Sequence, residues 1–233
     1  DDEKAFAIAF RTLPEDDSGV AHILEHSVLC GSAKFPVREP FVELLKSSLA
    51  TYLNAFTAAD LTCYPVSTRS DGDLRNLTEV YLDAVFNPNS MTSDWAFRQE
   101  REIVRNEMKG MFATPETLSR VALNRLLYPG CVYSRVSGGD PQAIPALSYA
   151  QYQEFYRRHY HPSNARIYLY GNVRILDALE QLDGYLGRYE RVATETAIPM
   201  TAETMIQTRS IQHSSERIKG GNYSCVFMKM NTN

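Results

Sequence analysis

Cysteine is scarce in this chain, and the cysteines that are present do not cluster. The 233 residues contain Cys30, Cys63, Cys131 and Cys225, none of them in a C-x-x-C pair. A disulfide scaffold needs closely spaced pairs, and a structural zinc site normally takes several cysteine ligands. The pattern therefore indicates free thiols in a reducing compartment and argues against a cysteine-based zinc site.

A long apolar run, a surplus of basic residues and several common enzyme motifs are also missing. No apolar stretch reaches the ~18 residues expected of a membrane span. Aspartate and glutamate outnumber lysine and arginine by 28 to 24, a net charge of −4, which argues against a dedicated nucleic-acid-binding protein. No G-x-S-x-G elbow, Walker-type loop or dinucleotide fingerprint occurs. With 44% hydrophobic and 22% charged residues, the composition is that of an ordinary globular protein.

Alternating strand-like and helix-like stretches predict an α+β fold. Period-2 patterns predict strands at about residues 5–12, 51–57, 62–67, 165–171 and 223–228, the second and third forming a hairpin. Helical periodicity and capping signals predict helices at about residues 19–30, 41–48, 71–86, 94–112, 115–127, 148–159 and 176–189. We therefore expect a mixed, largely antiparallel sheet with helices packed on it. Residues 1–193 are predicted to form one α/β domain, and residues 194–233 a tail or the start of a following segment.

The stretch His22-Ile23-Leu24-Glu25-His26 carries the clearest chemical signal. Each residue of a helix turns by about 100°, so that His22, Glu25 and His26 lie on nearly one face. Two imidazoles one turn apart can bind one Zn²⁺ ion, and a carboxylate beside them can take a proton from metal-bound water. The order H-x-x-E-H is the signature of inverted zincins. The alternative is a pair of ordinary surface or core histidines.

A catalytic zinc site usually takes a third protein ligand and leaves a further position for water. The helix predicted over residues 94–112 offers Glu100, Glu102 and Glu107. Helical spacing places Glu100 and Glu107 on one otherwise apolar face and Glu102 on the opposite side. A carboxylate on such a face is expensive to bury unless it meets a cation. This favours Glu107 as the ligand and Glu100 as a second carboxylate near the site; the alternative is three solvated surface charges.

Longer motifs surround these residues, at positions 19–32, 34–36, 49–57, 106–110, 137–141 and 159–166. Together they resemble the pitrilysin-type zinc metalloproteases, and within that group the branch of the presequence proteases and falcilysin. The resemblance covers roughly residues 1–190. It implies a pitrilysin-like, LuxS-like metalloenzyme domain and therefore agrees with the α+β pattern.

The resemblance also implies a ligand set and a reaction. The enzyme would be a zinc metalloendopeptidase with one Zn²⁺ per chain, bound by His22, His26 and Glu107, and with Glu25 as the general base. The spacing of the wider pitrilysin group would place the third ligand near Glu102, but the Asn-Glu-Met-Lys-Gly motif of the closer branch falls on Glu107. The expected activity is degradation of targeting presequences or other short unfolded peptides.

The segment Leu53-Asn54-Ala55-Phe56-Thr57 is predicted to present a free strand edge to which an extended peptide adds. The family places substrate against this segment, so that Asn54, Ala55 and Phe56 are the predicted substrate contacts. The alternative is an ordinary hairpin strand without a role in binding.

Proteases of this group are built from four homologous domains that close around an internal chamber. The chain matches the first, metal-binding domain without its opening strand, so the expected partners are peptide substrates and the remaining domains of a full-length protease. No nucleic acid or membrane span is expected. We expect the complete protein to extend upstream, where a targeting segment for a mitochondrial, plastid or apicoplast-like matrix would lie.

Two alternatives belong to other functional classes. A catalytically inactive relative would keep the fold as a scaffold and bind zinc or partner proteins, although such relatives typically lose the ligand set, which is complete here. A binding module with a purely structural zinc would normally use four ligands with several cysteines. Zinc content and cleavage of a quenched peptide separate the three hypotheses.

Overall fold

The structure is a computed structural model that describes residues 2–37 and 40–194. The strands are β1 (Lys4–Arg11), β2 (Ala50–Leu53), β3 (Phe56–Thr57), β4 (Leu61–Thr68) and β5 (Ala165–Gly171). The helices are α1 (Val20–Val28), α2 (Pro40–Ser47), α3 (Asp71–Phe86), α4 (Trp95–Met111), α5 (Pro115–Leu127), α6 (Tyr149–His159) and α7 (Ile175–Leu186). The predicted α+β fold is confirmed. The predicted strand at 223–228 and nearly all of the predicted tail lie outside the described residues.

The strands form a single sheet in the order β2-β4-β1-β5, and β3 also pairs with β4. Every pairing among these strands is antiparallel. Among the described strands, β2 and β3 therefore lie at one edge of the sheet and β5 at the other. The expectation of a largely antiparallel sheet is confirmed.

The side chains of the sheet alternate between a buried face and a more exposed face, as antiparallel strands require. Phe6, Ile8 and Phe10 of β1 are fully buried. Helices α1 and α3 pack on this face, where Leu24 and Leu77 join the same apolar core. Burying a side chain of this size stabilises the fold by about 1.5–3 kcal/mol. This core fixes the position of α1 relative to the sheet edge.

The prediction of one strand over residues 51–57 is wrong in one respect. The structure has two strands there, separated by Asn54 and Ala55. Asn54 lies beside Pro65 of β4, and its N–H donates to the Pro65 carbonyl at 3.2 Å. Proline has no N–H to return that bond. Instead, the hydroxyl of the buried Tyr81 on α3 donates to the Asn54 carbonyl at 3.1 Å. The missing N–H therefore interrupts the ladder and divides the edge into β2 and β3.

Candidate active site

Helix α1, which carries three of the predicted site residues, begins against a glycine-rich loop. Its first flanking residue, Gly19, has a left-handed backbone with φ of 70°, a conformation that favours glycine. A Cβ on Gly19 would lie 2.7 Å from the Cα of Gly139. The two glycines therefore allow the loop of residues 137–141 to lie directly against the start of α1, beside His22.

Both histidines of α1 use their Nδ1 atoms for hydrogen bonds within the protein. His22 Nδ1 lies 3.0 Å from the Gly138 carbonyl oxygen, and His26 Nδ1 lies 3.2 Å from Oε2 of Glu100. A carbonyl or carboxylate oxygen only accepts, so each Nδ1 carries the proton in these bonds. In the neutral ring the lone pair is then on Nε2. The two contacts thus prepare both Nε2 atoms to act as ligands, the arrangement typical of metal-binding histidines.

The two Nε2 atoms converge on a carboxylate from α4. Oε2 of Glu107 lies 3.8 Å from Nε2 of His22 and 3.8 Å from Nε2 of His26. One ligand atom from each of these three residues lies within 4.8 Å of the others. Tetrahedral Zn²⁺ with bonds of about 2.1 Å needs ligand atoms roughly 3.4 Å apart, so small movements would complete the geometry. The donor set of two imidazoles and one carboxylate therefore fits zinc.

The pKa of His26 is raised above its ordinary value by its surroundings. Burial alone lowers this pKa, but the hydrogen bond with Glu100 and the charges of Glu25, Glu100 and Glu107 outweigh burial. Several carboxylates next to two imidazoles create a negative potential that favours a bound cation. The electrostatics agree with the geometry of a cation site.

The three glutamates of α4 occupy different environments. Glu100 is buried and contacts His26, whereas the side chain of Glu107 is 47% exposed. Burial on an apolar helix face, expected from the sequence for both carboxylates, therefore holds for Glu100 and is wrong for Glu107. Glu102 is exposed and bonds Arg105 at 3.4 Å, so the structure does not bring Glu102 to the histidines.

Glu25 directly precedes His26 on α1 and contacts the edge of the sheet. The residue is only 8% exposed, and its Oε2 accepts a hydrogen bond from Oγ1 of Thr57 on β3 at 2.7 Å. A buried carboxyl group without such a hydrogen-bond partner would be costly. Glu25 therefore lies on the same helix as both candidate ligands and is tied to the neighbouring strand.

Asn54, Ala55 and Phe56 lie at the outer edge of the sheet, next to Thr57. Oδ1 of Asn54 accepts from the Ala55 N–H at 2.9 Å, and its Nδ2 donates to the Tyr52 hydroxyl at 3.1 Å. Phe56 is 44% exposed and faces the opposite side of the sheet from Thr57, as strand alternation requires. The edge is open within the described residues. Substrate contact by these three residues stays a prediction.

The sequence placed Thr57 only within the predicted docking edge and gave Gly138 no role, although both contact candidate site residues. The signal for Thr57 was the alternation of the strand, which directs its side chain to the core face. The signal for Gly138 was the Ser137-Gly138-Gly139-Asp140-Pro141 motif, which was matched without a function. Both contacts depend on packing between distant segments.

The fold and the three converging side chains define an α+β domain with a candidate metal site. The model of the insulinase family, peptidase family M16, matches residues 11–130, and the model of the peptidase M16 inactive domain matches residues 146–226. The chain belongs to peptidase family M16. The resemblance to pitrilysin-type proteases is thereby confirmed.

Individual relatives agree with this assignment. The chain is 46% identical over 205 residues to presequence protease 1, chloroplastic/mitochondrial, of Arabidopsis thaliana, covering 82% of this chain and 19% of that protein. It is 44% identical over 216 residues to the mitochondrial presequence protease of Danio rerio, covering 85% of this chain and 21% of that protein. The fold is similar to that of the periplasmic protease PqqL from Escherichia coli, with a TM-score of 0.73 and 22% identity over 87% of this chain and 23% of that one.

The chain thus spans about one fifth of the length of the curated relatives it matches. Among the helices that the structure describes, none has the length and apolar character needed to cross a membrane.

Proposed function

We propose that this chain is the metal-binding domain of a zinc metalloendopeptidase that degrades targeting presequences or other short unfolded peptides. The observation that carries the proposal is the convergence of His22 and His26 Nε2 on Glu107. Membership of a peptidase family and the similarity to presequence proteases support the same reaction. The complete ligand set argues against an inactive scaffold relative.

The proposed mechanism assigns a separate task to each side chain. The residues that would hold Zn²⁺ are His22, His26 and Glu107, and the chemistry that the ion supplies when bound is Lewis-acid activation of the scissile carbonyl and the attacking water. Glu25 takes the proton of that water and delivers it to the leaving amine. The Nδ1 bond of His26 to Glu100 keeps its ring in the ligating tautomer and orientation.

The substrate is proposed to bind as an extra strand at the edge formed by β2 and β3. Main-chain hydrogen bonds at a sheet edge select an extended peptide without strict sequence requirements. Asn54, Ala55 and Phe56 are the proposed contacts along this edge. Short or unfolded peptides can adopt this extended conformation, whereas most segments of a folded protein are already paired or packed.

The remaining partners are proposed from the relatives. A protein about five times as long as the matched segment would supply further domains, and we propose that these domains complete the active enzyme around the domain of residues 1–193. The relatives of Arabidopsis thaliana and Danio rerio carry names that place them in chloroplasts and mitochondria. We propose an organelle matrix for this protein as well.

Replacing Glu25 with glutamine in the complete gene product tests the proposal. The variant should retain about one zinc per chain by mass spectrometry of metals, while cleavage of a quenched presequence peptide falls by at least 10²-fold, because the general base is lost. Glu180→Gln, at an exposed position of α7, is the matched control and should leave both values unchanged. Full turnover by Glu25→Gln would refute the proposed mechanism.

A further inference from the structure

The contact between Thr57 and Glu25 joins the two parts of the proposed site. Thr57 lies on the edge strand β3, and Glu25 lies on the helix that carries both candidate histidine ligands. Their side chains meet at 2.7 Å, with the threonine hydroxyl as donor because an ionised carboxylate only accepts. Glu25 is buried, so this bond is shielded from competition with solvent.

The register of the sheet places Thr57 in this position. Thr57 pairs with Thr62 of β4, whose hydroxyl lies 2.8 Å from that of the buried Thr12. On the next residue, the N–H of Ala58 donates to the Leu61 carbonyl at 2.8 Å. The backbone of β3 is therefore fixed by its pairing with β4 and by the hydrogen bond that follows its C-terminal end. This holds the Thr57 side chain towards α1.

A glutamate that acts as a base needs such a partner. The last torsion of a glutamate side chain is broad and roughly two-fold, so the side chain itself does not define the plane of the carboxylate. A hydrogen bond to one oxygen removes this freedom. With Oε2 bonded to Thr57, Oε1 is left to accept the proton of an attacking water.

We propose that Thr57 is a positioning residue that orients the carboxylate of Glu25 for catalysis. The inference rests on the proposed peptidase function. Because the same two-residue strand belongs to the proposed docking edge, it sets both the line along which the peptide binds and the direction in which the base points. Thr57 would act through Glu25, the carboxylate to which its hydroxyl donates.

The test compares Thr57→Val with Thr57→Ser in the complete gene product. Valine keeps the shape and removes the hydroxyl, whereas serine keeps the hydroxyl and removes the methyl group. Thr57→Val should lower kcat by about 10- to 100-fold, the effect of a misplaced catalytic group. Its KM should change by less than about twofold, and its zinc content should stay near one per chain. Thr57→Ser should retain most of the wild-type kcat.

A crystal structure of Thr57→Val supplies a readout that is independent of activity. The Glu25 carboxylate should be rotated or disordered in this variant and unchanged in Thr57→Ser. The proposal would be overturned if Thr57→Val kept the wild-type kcat. It would also be overturned if both variants lost kcat equally or if Thr57→Val lost zinc, because either result indicates a packing role. Failure of the proposed function is distinguishable, since the wild-type protein would then not cleave the peptide, or Glu25→Gln would cleave it as fast as the wild type.

Discussion

His26 donates its Nδ1 proton to Glu100, at 3.2 Å, and thereby directs its Nε2 towards Glu107. Glu100 is buried against α1, so its carboxylate orients the imidazole without being aimed at the candidate metal position. Metal-binding histidines commonly have such a partner on the nitrogen that does not ligate. The relationship assigns different tasks to two glutamates of one helix face.

Glu100→Gln should weaken zinc binding by about 10- to 100-fold, as removal of an outer hydrogen-bond partner typically does. Glutamine retains an acceptor oxygen but loses the charge that stabilises the ring orientation and its basicity. The affinity is measured by competition with a chromophoric chelator. An unchanged dissociation constant would contradict the orienting role of Glu100.

Glu107→Gln and Glu102→Gln distinguish the two possible third ligands. Loss of Glu107 should remove most of the bound zinc, because only two of the three proposed protein ligands would remain. Glu102 is exposed and pairs with Arg105, so its replacement should leave zinc content within error of the wild type and alter stability by less than about 1 kcal/mol. The reverse order of zinc loss would favour the spacing of the wider pitrilysin group.

Gly139→Ala should disturb the contact between the glycine-rich loop and α1. Gly139 has φ of +99°, and a Cβ there would lie 2.8 Å from the side chain of Ile144 and 3.0 Å from the Cα of Gly19. We expect a loss of about 1–3 kcal/mol in unfolding free energy, measured by urea unfolding, together with reduced zinc content because the neighbouring Gly138 carbonyl orients His22.

Gly184→Ala is the matched control for this prediction. Gly184 lies within α7, and a Cβ there meets nothing within 4 Å. Alanine should therefore stabilise the helix, by up to about 1 kcal/mol. If Gly139→Ala and Gly184→Ala changed the unfolding free energy and the zinc content equally, the close approach of the loop to α1 would not contribute to either quantity.

Local patterns predicted the parts of the site that lie within one helix. Helical geometry is repetitive, so spacing alone indicated that His22, Glu25 and His26 share a face. The spacing of α4 likewise put Glu100 and Glu107 on one side. Which of these two is buried could not be predicted, because burial depends on where α4 crosses α1.

Such local patterns could not predict the contacts between segments that are distant in the sequence. The bonds of His22 to Gly138 and of Glu25 to Thr57 join residues 116 and 32 positions apart. They depend on loop packing and strand register, which single-segment periodicity does not encode. Pro65 in the sequence explains why the edge strand is split. The Tyr81 hydroxyl that bonds the Asn54 carbonyl in place of the missing N–H comes from helix α3, which the pattern of the strand does not indicate.

Asp83 of α3 gives a prediction about pH and stability. Burial by itself raises the pKa of this carboxyl group, but hydrogen bonds from Ser32, the Lys34 N–H, Tyr185 and Asn87 outweigh burial and hold the pKa below its ordinary value. The bonds from Lys34 and Tyr185 measure 2.7 and 2.8 Å. Asp83 thus ties the segment after α1 and helix α7 to α3.

Since the pKa is lower in the folded state, the unfolded chain binds more protons as the medium is acidified. The stabilisation from Asp83 is therefore complete above the unfolded-state pKa of about 4 and is lost as the pH falls through the folded-state value. Asp83→Asn should lower the unfolding free energy at neutral pH by about 1–3 kcal/mol, and the loss should shrink in acid. Asp177→Asn, in an exposed pair with Arg174 at 3.2 Å, should cost less than about 1 kcal/mol at neutral pH. If Asp83→Asn lowered the unfolding free energy equally at neutral and at acidic pH, a charge-dependent role would be contradicted and only a packing role would remain.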